Sequence, residues 1–211
     1  MQFEESGVIV IYLNFMSTKA YKKKYNRLMK FSMENQDGMM FLFNSDRDYV
    51  AARCCVLNGL VGSGFVLAGQ AIEKSLKAFI FFESKKKLRV GHNAYELKEA
   101  LKKIKDYNLD KYDNLLKKLL DHYQARYSDN IPEYGTNGAC SDELAEIDEL
   151  WVELKEKLPI PDEVKYRTVF FTDILKPNPH WSNEFWLKQH NPVIFTKLNK
   201  WQKEFKKIWS K

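Results

Sequence analysis

The feature that most constrains this chain is a helical repeat of apolar residues that returns in segment after segment. Between residues 64 and 84, Ala68, Ile72, Leu76, Phe79 and Ile80 fall at three- and four-residue steps. That spacing puts them on one side of an α-helix and requires a core to receive them. The same rhythm recurs in Leu97, Ala100, Leu101 and Ile104, then in Tyr112, Leu115, Leu116, Leu119 and Tyr123, and again in Leu144, Ile147, Trp151 and Leu154. Several such stripes joined by short polar links bury one another in an all-α, up-and-down helical bundle of four to five helices.

Local start and stop signals divide the chain further. Ser17 is expected to open a helix over 17–35 in which Tyr21, Tyr25, Leu28 and Met29 share a face, and "NQDG" (35–38) is expected to break it. Ser45 or Asp46 then suits the cap of a helix through "DYVAARCCVLNGL". Gly59, Gly62 and Gly64 read as a turn into the next helix. They lack the preceding strand and the Lys-Ser/Thr pair of a phosphate-cradling loop. Asn93 with Glu96 forms a capping pattern for a helix over about 94–106. Asp110 is expected to cap the helix after it, and Ser141 a third, with Asp142 and Glu143 in its first turn. Pro159 and Pro161 end that helix.

These signals give a bundle over 45–158, an N-terminal extension over 1–44 and a C-terminal extension over 159–211. The apolar stretch "GVIVIYLNF" (7–15) is too short to span a bilayer and follows Glu4 and Glu5 rather than positive charge. It is expected to be a buried strand or packing arm, and no membrane partner is expected. "KYRTVFFTDILKPNPHWSNEF" reads as a short hairpin or irregular arm. The last segment, from "NPVIF" onward, reads as a basic amphipathic helix with Ile194, Leu198, Trp201, Phe205 and Trp209 on one side, which suits docking on the bundle first, and a membrane surface or nucleic acid as alternatives.

Composition narrows the function classes. The 211 residues are 45% hydrophobic and 29% charged, the profile of a folded domain. The net charge of +6 favours anionic partners such as nucleotides or RNA. Cys54, Cys55 and Cys140 are odd in number and two are adjacent, which fits neither a disulfide framework nor a zinc site. A reducing cytoplasm is the simplest home, and neither metal nor other cofactor is expected.

Connectivity points to one candidate site. Two helices joined by a short link pack antiparallel, so the helices over 94–106 and 111–127 should bring His92 close to Arg126 and Tyr127. The basic run that begins at Lys85 leads into the same end. A histidine exchanges protons near neutral pH, an arginine grips phosphate in two places, and a tyrosine stacks on a base. The same groups also suit a purely structural role, with His92 bonded to a backbone carbonyl. A second feature is the polar row Gln70, Glu73, Lys74 and Lys77, which reads as a solvated face or a partner face.

Three segments, "AGQAIEKSLKAFI" (68–80), "GHNAYELKEAL" (91–101) and "QARYSDN" (124–130), resemble the pattern of HEPN domains (higher eukaryotes and prokaryotes nucleotide-binding). The resemblance covers about residues 45–157. It implies a helical bundle, frequently a homodimer, that binds nucleotide or RNA, and in some members a toxin–antitoxin or defence role beside a nucleotidyltransferase partner. His92 matches the family's histidine after the long helix, and the convergence described above gives the ligand-binding set as Lys85, His92, Arg126 and Tyr127. For the metal-independent ribonuclease branch, His92 and Arg126 would be catalytic. That branch spaces four to six residues between its arginine and histidine, whereas Arg89 and His92 have two between them and Ser128 stands where the usual ending has proline. Phosphate binding is therefore the leading expectation, with RNA cleavage and non-catalytic dimeric assembly as alternatives.

Overall fold

A computed structural model of the chain describes residues 19–85, 93–105, 107–125, 140–165 and 191–209. Every regular element among them is helical: α1 (Lys19–Glu34), α2 (Gln36–Leu57), α3 (Val61–Ser84), α4 (Ala94–Lys105), a 3-10 turn (Asp110–Tyr112), α5 (Asp113–Ala125), α6 (Cys140–Lys157), α7 (Asp162–Lys165) and α8 (Pro192–Trp209). The all-α class expected from periodicity is the class observed.

The helix with the clearest apolar stripe is the one that the others surround. α3 packs against α2, α4, α5 and α6. Its Ala68, Ile72 and Leu76 are fully buried, and Phe79 and Ile80 nearly so. Cross-helix pairs fix the directions. The hydroxyls of Ser45 and Ser75 meet at 2.6 Å, while Gly38 at one end of α2 lies against Phe81 and Phe82, so α2 runs antiparallel to α3. Tyr107 stacks on Phe79 and His122 packs at a tilt against Phe65, so α5 also descends along α3. Lys118 pairs with Glu143 and Tyr112 with Glu153, which turns α6 back against α5.

The turn before α3 is tighter than three glycines suggest. Only Gly59 takes a left-handed backbone, with φ of 81°, and Gly62 and Gly64 already belong to the helix. Gly64 serves another purpose. A Cβ there would lie 2.4 Å from Val56 Cγ2 and 3.0 Å from the Ala52 carbonyl oxygen, so α2 and α3 cross closely on its hydrogen.

Two expected helix starts are corrected. The break at 35–38 shrinks to Asn35, and α2 begins at Gln36 and runs unbroken past Ser45 and Asp46. Both residues are buried in mid-helix rather than capping an end. They find partners on neighbouring helices instead of on the first turn of their own. The division at 44/45 lies inside α2, and Met39 and Leu42 on its N-terminal side belong to the common core. Asp110 likewise does not cap α5, which starts three residues later. Its carboxylate takes bonds from Lys98 and Lys102, each at 2.9 Å.

Other expectations hold. Asn93 caps α4, its Oδ1 accepting the Tyr95 backbone N–H at 2.8 Å. Leu97 and Leu101 are fully buried, although Ile104 at the end of that stripe is exposed. Leu144, Ile147, Trp151 and Leu154 line the core side of α6. α8 docks on α6 and α7 through buried Ile194 and Trp201. Residues 7–15, residues 166–186 and the side chains of Tyr21, Ser141, Leu198, Phe205 and Trp209 lie outside the described set.

Candidate functional site

Of the four residues expected to gather at one tip, the described part contains Lys85. His92, Arg126 and Tyr127 lie outside it. Lys85 terminates α3 in the left-handed conformation, with φ of 55° and its N–H bonded to the Phe81 carbonyl at 2.8 Å. Its side chain folds back toward the α1–α2 elbow. The ammonium is 3.1 Å from Asn35 Oδ1 and sits over the rings of Phe31 and Phe82. That contact orders the first residue of the basic run, while α4 starts directly after His92 and Asn93.

The side-chain links between α4 and α5 gather at their connector. Lys98 reaches Asp110 at 2.9 Å and Asp113 at 2.5 Å, and Lys102 reaches Asp110. Burial alone would lower the Lys98 pKa, but the bonds to Asp110, Asp113 and Glu99 raise it above the usual lysine range. Bonds from Lys98 and Lys102 hold Asp110 down at about 2.

Two members of the polar row on α3, Lys74 and Lys77, reach across to α2. Glu73 is 9% exposed and bonds Lys77 at 2.6 Å, Lys74 pairs with Asp48, and Lys77 lies over the Phe41 ring. Gln70 is half-buried. Lys74 and Lys77 thus join two helices of one chain.

A larger polar constellation, absent from the sequence reading, lies between α2 and α6. Arg53 and Asp148 form an ion pair in which both side chains are fully buried. Tyr49 donates to Asp148 at 2.5 Å, accepts from Asn191 at 3.2 Å, and stacks on Trp151 with ring centres 4.0 Å apart. One turn away Lys155 pairs with Asp46 and lies over the Trp151 ring. The Ser45 hydroxyl donates to the Ala71 carbonyl and accepts from Trp151 Nε1. Burial pushes the Asp148 carboxyl up to about 6 against the pull of Arg53 and Tyr49, and pushes the Tyr49 phenol well above its ordinary value. The spacing carried a usable signal. Leu144, Asp148, Trp151 and Lys155 lie on one face of α6, as Asp46, Tyr49 and Arg53 do on α2. The charged members of those faces face each other.

The constellation is sealed from solvent, so its chemistry is internal. An open pocket of about 240 Å³ lies instead where the 3-10 turn, α6 and α8 meet, lined by Tyr112, Val152 and Val193 and by opposed lysines and glutamates. Glu153 is its hub and accepts from Tyr107, Tyr112, Lys111 and Lys157 at 2.8 to 3.0 Å. Burial works to raise the Glu153 pKa, but these four donors bring it down to about 2. Burial, opposed in part by the Lys111 bond, pushes the Tyr112 phenol to about 12. Lys111, Lys157 and Lys197 on the wall are matched by Glu149, Glu153 and Glu156, which leaves little net field for a charged ligand.

Among the described residues no group of three His, Cys, Asp or Glu side chains is placed to share a metal ion, and no helix is long and apolar enough to cross a membrane. The chain matches no family model, no curated protein and no solved structure.

Proposed function

We propose that this chain is a HEPN-like helical module of the cytoplasm that binds nucleotide or RNA phosphate at the joint between α3 and α4. The observation that carries this reading is the pairing of a basic segment, opened by Lys85 at the end of α3, with a helix that starts two residues after His92. The first-turn N–H groups of a helix and their dipole favour an anion. Asn93 satisfies the Tyr95 N–H and fixes where that helix begins. The resembling segments also support the reading, since the first lies wholly on α3 and the second leads into α4.

In this reading Lys85 and Arg126 neutralise phosphate charge, His92 donates a hydrogen bond to it, and Tyr127 stacks on the base. A homodimer and a nucleotidyltransferase partner within a toxin–antitoxin or defence system belong to the same proposal. The test is binding of labelled mononucleotides and short RNA at low salt, where phosphate contacts are strongest. His92→Ala and Arg126→Ala should each weaken nucleotide binding at least tenfold. Binding that is absent at low salt, or indifferent to both substitutions, overturns the proposal.

A further inference from the structure

The chain's positive charge is not spread evenly. α1 carries six Lys and Arg against one Glu, and α8 five Lys against one Glu. These helices hold a net +5 and +4 within a chain of net +6, so everything outside them is net −3. Both helices pack on the short α7 between them, and Arg27 of α1 anchors there on Glu163 at 2.5 Å.

The outward faces of both helices are cationic. On α1, Lys23, Arg27 and Lys30 follow one another at helical spacing and are exposed, Lys30 at 76%. On α8, Lys200, Lys203 and Lys207 form an exposed row on the side away from buried Ile194 and Trp201. The α1 row borders a second feature. Tyr25, Met29 and Met33, at steps of four, are all exposed, Met33 at 75%, and Lys22 lies beside them. Met40 on α2 is exposed as well.

We propose that α1 and α8 form a binding surface for single-stranded RNA, built from residues other than those of the α3–α4 joint. Charge complementarity chooses an anion and argues against a second copy of the same surface, because two faces of this charge repel. The apolar strip chooses among anions. A duplex presents its phosphates and keeps its bases stacked inside, whereas a single strand offers phosphates to lysines and open base faces to Tyr25 and the methionines beside it. This surface shares the ligand class of the proposed joint site but none of its residues.

The test is fluorescence anisotropy of a labelled 20-nucleotide RNA on the full chain, across a salt series. The triple variant Lys22→Gln, Lys23→Gln, Lys30→Gln should lose at least tenfold in affinity at low salt. Its log–log salt slope should fall by about 2, since each lost contact to a single strand removes about 0.7. Tyr25→Ala should weaken binding roughly fivefold or more through lost stacking. Lys103→Gln with Lys117→Gln, exposed on α4 and α5, should change little. All five lysines in the two sets are exposed, and far-ultraviolet circular dichroism confirms that each variant keeps its helices. His92→Ala and Arg126→Ala should lower mononucleotide binding and spare this surface, so failure of either proposal is visible without the other. Three results overturn the inference: a triple variant within twofold of wild type, equal affinity for a duplex of the same length, or preference for phosphatidylglycerol vesicles over RNA.

Discussion

The seam between α2 and α6 and the rim where α6 meets the 3-10 turn and α8 use the same residue types to opposite ends. At the seam, Asp148 and Arg53 are withdrawn from water and each depends on the other. At the rim, Glu153 keeps some exposure and has four donors, so no single partner is essential. Five residues apart on one helix, the two carboxylates shift in opposite directions, Asp148 up to about 6 and Glu153 down to about 2. Burial outweighs pairing at the first and donors outweigh burial at the second. A buried pair is therefore fragile to loss of one member, while a rim network degrades gradually.

The largest expected effect breaks the seam. Arg53→Ala leaves the Asp148 charge buried and unpaired, and should cost about 3–5 kcal/mol by chemical denaturation. Replacing both partners, Arg53→Met with Asp148→Leu, should recover most of that loss. If the double variant is as unstable as the single one, the pair contributes more than mutual compensation.

Next in size is the acid response of the rim. Glu153 titrates at about 2 in the folded chain against 4.5 unfolded. A lowered carboxyl gives stability that is complete above pH 4.5 and is lost as pH falls toward 2, here roughly 3 kcal/mol at most. Denaturation curves across pH 2–5 should be steeper for wild type than for Glu153→Gln. Asp148 has the opposite sign: its raised pKa gives stability below pH 4 that is lost as pH rises through 6. Equal slopes for wild type and Glu153→Gln would mean that the four donors do not favour the ionised form.

Gly64→Ala should be destabilising by about 1–3 kcal/mol, because the new methyl meets Val56 and the backbone of Ala52. Pairing it with Val56→Ala should return part of the loss. The smallest effect belongs to the α8 side of the rim. Lys197→Ala removes a partly exposed bond to Glu156 and should change stability by less than about 1 kcal/mol. A loss comparable to that of Arg53→Ala would erase the distinction between the two regions.

What the sequence made readable follows the same division. The apolar stripes of α3, α5 and α6 were legible because periodicity and burial have one cause, and the Asn93 cap because its partner lies two residues away. Ser45 and Asp46 were misread as caps because their true partners, Ser75 and Lys155, lie 30 and 109 positions along the chain. The Arg53–Asp148 pair was invisible for the same reason. Charged residues at core spacing look like solvated positions until the facing helix is known. For the proposed joint, Asn93 and Lys85 have defined surroundings, whereas His92, Arg126 and Tyr127 remain part of the proposal.

The unbroken course of α2 through residues 44 and 45 has a practical consequence for anyone trimming this protein. A fragment beginning at residue 45 would delete the first two and a half turns of a helix whose Met39 and Leu42 sit in the shared core. It would also strip away Gly38 and the aromatic seat that Phe81 and Phe82 make for it. A minimal autonomous unit therefore has to start ahead of Gln36, and residues 36–44 are structural masonry rather than a removable tag.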